Sequence, residues 1–184
     1  MIKVIDNFLP EILFKRIKDT LNSPQFKWGR YENIVGNGAK VAPYKTVDGF
    51  SSIIDIRNTK ETGIFIPLLD YVAEELNVSP HAVMRMYINL TTPQYGWNVG
   101  DISYPHIDDN EPHTVALFYI DDADGDTYLF DNYGPSMKQE FRVKEIIKPE
   151  PNKLLLFDGM QFHAGNPPLT SKKRIVVNMN FRKQ

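Results

Sequence analysis

The chain contains no cysteine among its 184 residues. This absence excludes disulfide frameworks, thiolate zinc sites, iron–sulfur clusters and cysteine nucleophiles. A surplus of charge is also absent, since 21 lysines and arginines against 23 aspartates and glutamates leave a formal net charge of −2. No long run of one charge sign indicates a nucleic acid or a membrane surface as a partner.

Long apolar segments are missing as well. No stretch approaches the roughly 20 apolar residues that a membrane span requires. The first residues, MIKVIDNFL, lack the basic region and apolar stretch of a signal peptide, which predicts a cytoplasmic or other intracellular protein. Because 42% of the residues are hydrophobic, a chain of this length can bury a core without disulfides or a structural metal. We therefore expect one domain over residues 1–184.

Two amphipathic helices are predicted in the first part of the chain. Over residues 10–22 the apolar side chains Leu13, Ile17 and Leu21 recur every four residues, with charged residues between them. A second helical pattern covers residues 66–76, where a proline in the first turn suits a helix start. Both helices have one apolar face, so we interpret them as packing elements.

Short apolar segments separated by turn residues dominate the rest of the chain. Many short strands without intervening helices predict an antiparallel sandwich or jelly roll rather than a parallel sheet. The strand that begins at Val83 alternates cleanly, with Arg85, Tyr87 and Asn89 on a face that meets either solvent or a polar pocket. The predicted strands cover residues 52–56, 83–90, 102–106, 114–120, 127–130, 141–147, 153–157 and 174–181.

Two segments rich in glycine or aspartate are interpreted as turns. Gly36-Asn-Gly38 lacks the strand, the helix and the third glycine of a dinucleotide-binding fingerprint. The run from Asp121 to Asp126 is superficially like a calcium loop, but Thr127 stands where such a loop requires glycine. We expect a solvated hairpin turn there.

Four residues carry the candidate chemistry of the chain. His106 and Asp108 are two positions apart, so on an extended segment both side chains project from one face. His163 follows the apolar segment LLLFDGMQF, which predicts a strand and then a turn that presents a third ligand. Two histidines and one carboxylate with open positions are diagnostic of non-haem iron(II) oxygenases. Arg174 begins the next apolar strand, and its planar guanidinium suits a ligand carboxylate.

The order His-x-Asp, distal histidine and basic residue resembles the 2-oxoglutarate- and iron(II)-dependent dioxygenases, specifically the prolyl 4-hydroxylase-like group. The resemblance extends over most of the chain. It includes the opening VIDNFLP, Gly100 and Tyr104 ahead of the first histidine, the segment ALFYIDDADGDTYLF, and the segments FDG and HAGNPP. The chain departs from the family's usual pattern at Asp126, where a second glycine is common, and at Val176, where some relatives have serine.

This resemblance implies the fold, the reaction and the site. The implied fold is mainly β with flanking helices and a double-stranded β-helix, or jelly-roll, core, with residues 1–80 supplying supporting helices, strands and a loop and residues 81–184 the core. The implied reaction is hydroxylation of a C–H bond, with Fe(II) as cofactor, 2-oxoglutarate and O2 as co-substrates, and ascorbate as a candidate reductant. The implied residues are His106, Asp108 and His163 as metal ligands, Arg174 as the catalytic co-substrate anchor, and Tyr87 and Asn89 as further co-substrate contacts.

Other interpretations stay open at this point. A cupin-type metal-binding jelly roll that does not use 2-oxoglutarate would keep the histidines without needing Arg174, and a non-catalytic sugar- or peptide-binding β-sandwich would need none of the four residues. His81 and His113 are interpreted as surface or structural residues, although His113 is close enough to the metal pair in sequence to line a pocket. The primary substrate stays open between a prolyl residue in a peptide or protein, a free amino acid, another small molecule and a modified nucleobase.

Overall fold

The computed structural model describes residues 2–34, 43–55, 63–135 and 140–183. Within these ranges the chain is mainly β, with two α-helices, one short 3₁₀ helix and ten strands. The helices are α1 (Glu11–Asn22) and α2 (Ile66–Leu76), and the 3₁₀ helix is Pro80–Ala82. The strands are β1 (Ile2–Ile5), β2 (Gly29–Tyr31), β3 (Gly49–Ile53), β4 (Val83–Thr91), β5 (His113–Tyr119), β6 (Thr127–Tyr133), β7 (Val143–Ile147), β8 (Lys153–Asp158), β9 (Gln161–Gly165) and β10 (Arg174–Arg182).

The strands form two antiparallel sheets that face each other. The larger sheet has the order β1-β8-β5-β10-β4-β3-β2, and the smaller sheet has the order β7-β6-β9. Side chains from both sheets meet in one interior cluster, which joins Leu117 and Val176 of the larger sheet to Leu129 and Ile147 of the smaller sheet. The two-layer antiparallel arrangement confirms the predicted jelly-roll fold class.

The other face of the larger sheet is covered by the helices. In α1 the buried residues are Phe14, Ile17 and Leu21, on the face that the four-residue repeat predicts. Helix α2 begins and ends where its pattern predicts, and Asn77 ends it in the left-handed conformation with φ of 54°. Both helices share one hydrophobic cluster with the helix-facing rows of the central strands. No helix in the described ranges has the length and apolar character of a membrane-spanning segment.

Strands β4 and β10 bring the polar residues of the larger sheet together. Their antiparallel register pairs Asn178 with Tyr87 and Asn180 with Arg85. Because side chains alternate along a strand, Met179 packs among the helix-facing residues while its two neighbours face the smaller sheet. The polar face of β4 therefore continues across β10.

Three predicted elements differ from the structure. Residues 102–106 form no strand, because this segment bridges its neighbours only at Ser103 and His106. His163 lies within β9 rather than in a turn, since β9 pairs with β6 along its length. Residues 121–126 are not a hairpin: β5 already pairs with β8 and β10 on its two edges, so the chain crosses to the other sheet before β6 begins.

Several strand boundaries also differ from the sequence prediction. Strand β3 begins at Gly49 and ends at Ile53, so it overlaps only the first two residues of the predicted 52–56 segment. Strand β6 continues to Tyr133, and β7 begins at Val143 rather than at residue 141. The edge strands β1 and β2 are short and pair on one side only. The Gly36–Gly38 segment lies outside the described residues.

Candidate active site

The two histidines of the candidate site are neighbours because their backbones pair. The N–H of His106 donates to the carbonyl of His163, and the N–H of His163 donates to the carbonyl of His106, both at 2.9 Å. Their ring centroids are 4.4 Å apart. Directly opposed residues of an antiparallel pair share a face, so both imidazoles project to the same side.

A buried asparagine holds the segment that leads to His106. Asn166, just past the end of β9, accepts a hydrogen bond from the N–H of Ser103 at 2.8 Å. Its side-chain amide donates to the carbonyl of Asp101 at 2.7 Å, and Ser103 Oγ donates to the carbonyl of Gly165 at 3.1 Å. These bonds fix the 101–106 segment against β9 even though it is not a strand.

Three side-chain atoms converge beyond this bridge. Oδ1 of Asp108 lies 3.7 Å from Nε2 of His106 and 3.9 Å from Nε2 of His163. The metal-ligating atoms of the three residues all lie within 4.8 Å of one another. The structure therefore brings together the three residues that the sequence predicts as metal ligands, at distances that a single ion could span.

The protonation of the three ligands suits a metal ion. Nδ1 of His106 faces the carbonyl of Tyr104 at 3.2 Å, and Nδ1 of His163 faces the carbonyl of Gln161 at 3.4 Å. A carbonyl only accepts, so these contacts favour the proton on Nδ1 and leave the Nε2 lone pairs for a metal. This tautomer is inferred from the hydrogen-bond network.

Burial and charge keep both histidines neutral and the aspartate ionised. Burial lowers the pKa of His106, and burial together with the neighbouring His106 lowers the pKa of His163 to about 3. Burial alone would raise the pKa of Asp108, but His163 and Arg85 outweigh it and lower that pKa. Neutral imidazole and ionised carboxylate are the forms that bind divalent metals.

Arg174 lies at the start of β10 as a buried cation whose Nε has no hydrogen-bond partner. Its Nη2 donates to Oγ1 of Thr127 at 2.8 Å, and the hydroxyl of Tyr119 donates to the same oxygen at 2.8 Å. Among the described residues no carboxylate forms an ion pair with Arg174. The carboxylate of Asp126 acts on Arg174 from beyond ion-pair distance. A buried guanidinium without a carboxylate in direct contact predicts an anionic ligand.

The histidines and Arg174 border one cavity. Asn89 also borders it, and its Oδ1 accepts a hydrogen bond from Ser51 at 2.9 Å. Tyr87 precedes Asn89 by two residues on the same face of β4. The centroid of its ring lies 4.8 Å from the guanidinium carbon of Arg85. The described residues that line the cavity are Ile34, Asn89, His106, Leu117, Thr127, His163, Gly165, Arg174, Val176 and Asn178.

The two remaining histidines stand apart from the cavity lining. His81 is exposed on the 3₁₀ helix. His113 is fully buried, and its ring packs against Gly159. A Cβ atom at position 159 would lie only 2.2 Å from the imidazole ring of His113. Although His113 is close in sequence to His106 and Asp108, it is not among the described residues that line the cavity.

Sequence reasoning missed two polar contributors to the site. Thr127 was not singled out, although it follows the aspartate-rich segment within a motif that carries the family resemblance. Asn178 donates to Oδ2 of Asp108 at 2.9 Å, and its position on the face of Arg174 was the only signal for it. Both contacts join β10 to a part of the chain outside the larger sheet, namely β6 for Thr127 and the segment before β5 for Asp108, so neither is visible from the strand patterns alone.

The comparisons with known proteins agree with this fold. The sequence matches no established family profile, and no curated protein is significantly similar to it. A prolyl hydroxylase from Trichoplax adhaerens, solved with a hypoxia inducible factor peptide, has a TM-score of 0.60 and 16% identity, covering 98% of this chain and 83% of its own.

Two other solved structures extend the comparison. The non-heme alpha ketoglutarate dependent epimerase SnoN from nogalamycin biosynthesis has a TM-score of 0.66 and 10% identity, covering 99% of this chain and 81% of its own. A 2OG-Fe(II) oxygenase family oxidoreductase from Burkholderia pseudomallei has a TM-score of 0.65 and 11% identity, and the match covers 100% of this chain and 86% of the oxidoreductase chain. The predicted resemblance to the 2-oxoglutarate- and iron(II)-dependent oxygenases is thus confirmed at the level of the fold.

Proposed function

We propose that this protein is a 2-oxoglutarate- and Fe(II)-dependent dioxygenase that hydroxylates a C–H bond. The observation that carries the proposal is one cavity with two complementary features. Two neutral histidines that converge with a carboxylate border it, and so does a buried arginine without a carboxylate at ion-pair distance among the described residues. A metal ion and a dicarboxylate co-substrate would satisfy both features at once.

His106, Asp108 and His163 would hold the iron. When bound, iron with 2-oxoglutarate and O2 supplies the oxidising power, as the co-substrate is decarboxylated to succinate and CO2. The contribution of the chain would be to hold the three donor atoms in fixed positions. The paired backbones of the two histidines and the hydrogen bonds on Asp108 provide this rigidity.

Arg174 and Thr127 would bind the carboxylate of 2-oxoglutarate that is remote from the iron. Oγ1 of Thr127 already accepts hydrogen bonds from Arg174 and Tyr119, which use both of its lone pairs. Its own hydroxyl proton is then left to donate, and Thr127 borders the cavity. The carboxylate would thus receive one hydroxyl and one guanidinium donor. Asn89 supplies a further polar contact on the same wall.

The primary substrate that we propose to test first is a prolyl residue in a peptide. The proposal is supported by the fold shared with the Trichoplax prolyl hydroxylase, whose structure contains a bound peptide. The fold is also shared with the epimerase SnoN, and proteins of similar fold can catalyse different reactions. A panel of candidate substrates should therefore be tested. Proline-containing peptides, free amino acids and nucleosides are assayed with ascorbate as reductant for substrate-dependent succinate and for a product heavier by one oxygen atom.

An anaerobic titration tests the co-substrate assignment. Fe(II)-loaded protein receives 2-oxoglutarate, and a weak visible charge-transfer band is expected on chelation. Iron binding without the band would favour a cupin-type site that does not use 2-oxoglutarate. Absence of iron binding would favour a non-catalytic sandwich and contradict the proposal.

A further inference from the structure

A second arginine contacts the candidate metal ligand Asp108. Nη2 of Arg85, on β4, lies 2.6 Å from Oδ1 of Asp108. This is the same oxygen that faces Nε2 of both histidines. The side chains are largely buried, with 26% of Arg85 and 5% of Asp108 exposed, so the ion pair is poorly screened by solvent.

Two neighbours hold Arg85 in this position. With its amide nitrogen toward Asp108, Asn180 donates to Oδ2 at 3.2 Å, and its amide oxygen accepts from Nε of Arg85 at 2.9 Å. The ring of Tyr87 lies 4.8 Å from the centre of the guanidinium, within stacking distance. Arg85 is thus fixed on three sides, by a carboxylate, an amide and an aromatic ring.

We propose that Arg85 is a positioning residue that orients Asp108 toward the metal, an inference that rests on the function proposed above. Oδ2 of Asp108 is occupied by Asn178 and Asn180, and Arg85 holds Oδ1 on the side of the histidines. A carboxylate held at both oxygens cannot rotate freely or present both oxygens to one ion. One oxygen is therefore presented to the metal, and positions remain open for co-substrate.

The contacts also separate the tasks of the two arginines. Arg85 is engaged by Asp108 and Asn180, whereas Nε of buried Arg174 has no partner. An arginine already paired to a carboxylate is a poorer anchor for a second one. Arg85 therefore acts on the metal ligand, and Tyr87 acts through Arg85 by stacking rather than through its hydroxyl.

Co(II) binding to the metal-free protein tests this assignment without relying on turnover. Co(II) affinity is measured by equilibrium dialysis, and its visible absorption spectrum reports the ligand arrangement. Arg85→Gln is expected to weaken Co(II) binding by about 10- to 100-fold and to alter the spectrum, the range typical for lost outer-shell partners of metal ligands. Arg85→Lys, which keeps the charge but not the fork, is expected to recover part of the affinity.

Matched variants make the result specific. Arg182→Gln, at an exposed position of β10, should bind Co(II) like the unaltered protein. Tyr87→Phe keeps the stacked ring and should also leave affinity and spectrum unchanged, whereas Tyr87→Ala should weaken binding. Circular dichroism checks the fold of each variant, and Arg85→Lys serves as the decisive variant if Arg85→Gln does not fold.

The outcomes distinguish this inference from the function on which it rests. If the unaltered protein binds no Co(II), the proposed metal site itself is wrong. If it binds Co(II) but the folded Arg85 variants bind equally or more tightly with the same spectrum, the positioning role is overturned while the proposed function stands. A Tyr87→Phe variant that loses affinity for Co(II) would likewise contradict the stacking role.

Discussion

Two charged side chains at the site, Asp108 and Arg174, are buried in different ways. Asp108 is stabilised as an anion by Arg85 and by two asparagine amides. Arg174 is buried against the hydroxyl groups of Thr127 and Tyr119, with no carboxylate at ion-pair distance among the described residues. A buried charge without a close counter-ion is costly, so the first arrangement is complete, and the second would be completed by the carboxylate ligand proposed above.

Alanine at any one of the three metal ligands is expected to abolish most metal binding. His106→Ala, Asp108→Ala and His163→Ala each remove one donor, and the backbone pairing of the histidines prevents a neighbour from replacing it. Fe(II) affinity and substrate-dependent succinate formation should both fall to near background at limiting iron. Ordinary turnover in two of the three variants would contradict the metal assignment.

Arg174→Ala is expected to raise the KM for 2-oxoglutarate with little change in Co(II) affinity. Loss of one partner of a buried charge pair costs about 2–5 kcal/mol, which corresponds to about 30-fold or more. Steady-state kinetics with varied 2-oxoglutarate measures the effect, and Arg182→Ala on the same strand is the control. Equal KM values for Arg174→Ala and the unaltered protein would place the anchor elsewhere.

At the scale of elements, the site depends on a segment without regular structure of its own. The 101–106 segment carries His106, and its geometry comes from β9 through one pair of backbone hydrogen bonds and from Asn166. A second loop is held in a similar way: the carboxylate of Asp124 accepts from the backbone N–H groups of residues 169–171, ahead of Arg174. Hydrogen bonds from side chains to the backbone thus hold the segment that carries His106 and the loop that precedes Arg174.

Asn166→Ala is expected to loosen the 101–106 segment. The change leaves the N–H of Ser103 and the carbonyl of Asp101 without their partner, which costs about 1–3 kcal/mol for buried groups. Urea unfolding should show this loss, and Co(II) affinity should fall because His106 is less firmly held. Thr92→Ala, at an exposed position, is the control. Unchanged Co(II) affinity in a destabilised Asn166→Ala variant would mean that Asn166 supports only the fold.

At the scale of the whole molecule, the larger sheet separates two environments. Its helix-facing side is an apolar core shared with α1 and α2, and its other side meets the smaller sheet around the site. The site is therefore built into the interior between sheets. Ionisable groups there are shielded from water, and their protonation is linked to the stability of the whole fold.

The metal-free protein is expected to lose stability as the pH falls from about 7 to about 4. The pKa of His163 is about 3 in the folded protein and about 6.5 when unfolded, so the unfolded chain binds more protons between these values. The lowered pKa of His106 acts in the same direction, and that of Asp108 adds to it only at lower pH. Urea unfolding of chelator-treated protein at several pH values measures the slope.

The contribution of His163 to this pH dependence can be isolated. His163→Gln removes one titrating imidazole and should reduce the slope of unfolding free energy against pH by about one proton. His81→Gln, at an exposed position, is the matched control. Equal slopes for His163→Gln and the unaltered protein would show that His163 is not held neutral in the folded state.

Local patterns in the sequence were enough to predict much of this architecture. The four-residue repeat in α1, the pattern of α2 and the alternation in β4 and β10 depend only on the geometry of each element, and all four are observed. The convergence of His106, Asp108 and His163 was also predictable, because the spacing of the first two and the order of all three resemble a known family pattern. The helix and strand signals need only a short stretch of chain, whereas His163 was assigned by that resemblance.

Only the tertiary structure decided which segments lie side by side. Three contacts join residues from separate segments of the chain: the bridge between His106 and His163, the contact of Arg85 with Asp108 and the hydrogen bond from Tyr119 to Thr127. Local propensity carries no information about such partners, because strand pairing depends on packing across the whole sheet. For the same reason the 102–106 segment and the 121–126 connection were misassigned. The sequence by itself therefore determined the helices, most of the strands and the candidate metal-binding residues, and the packing of two sheets determined which segments surround them.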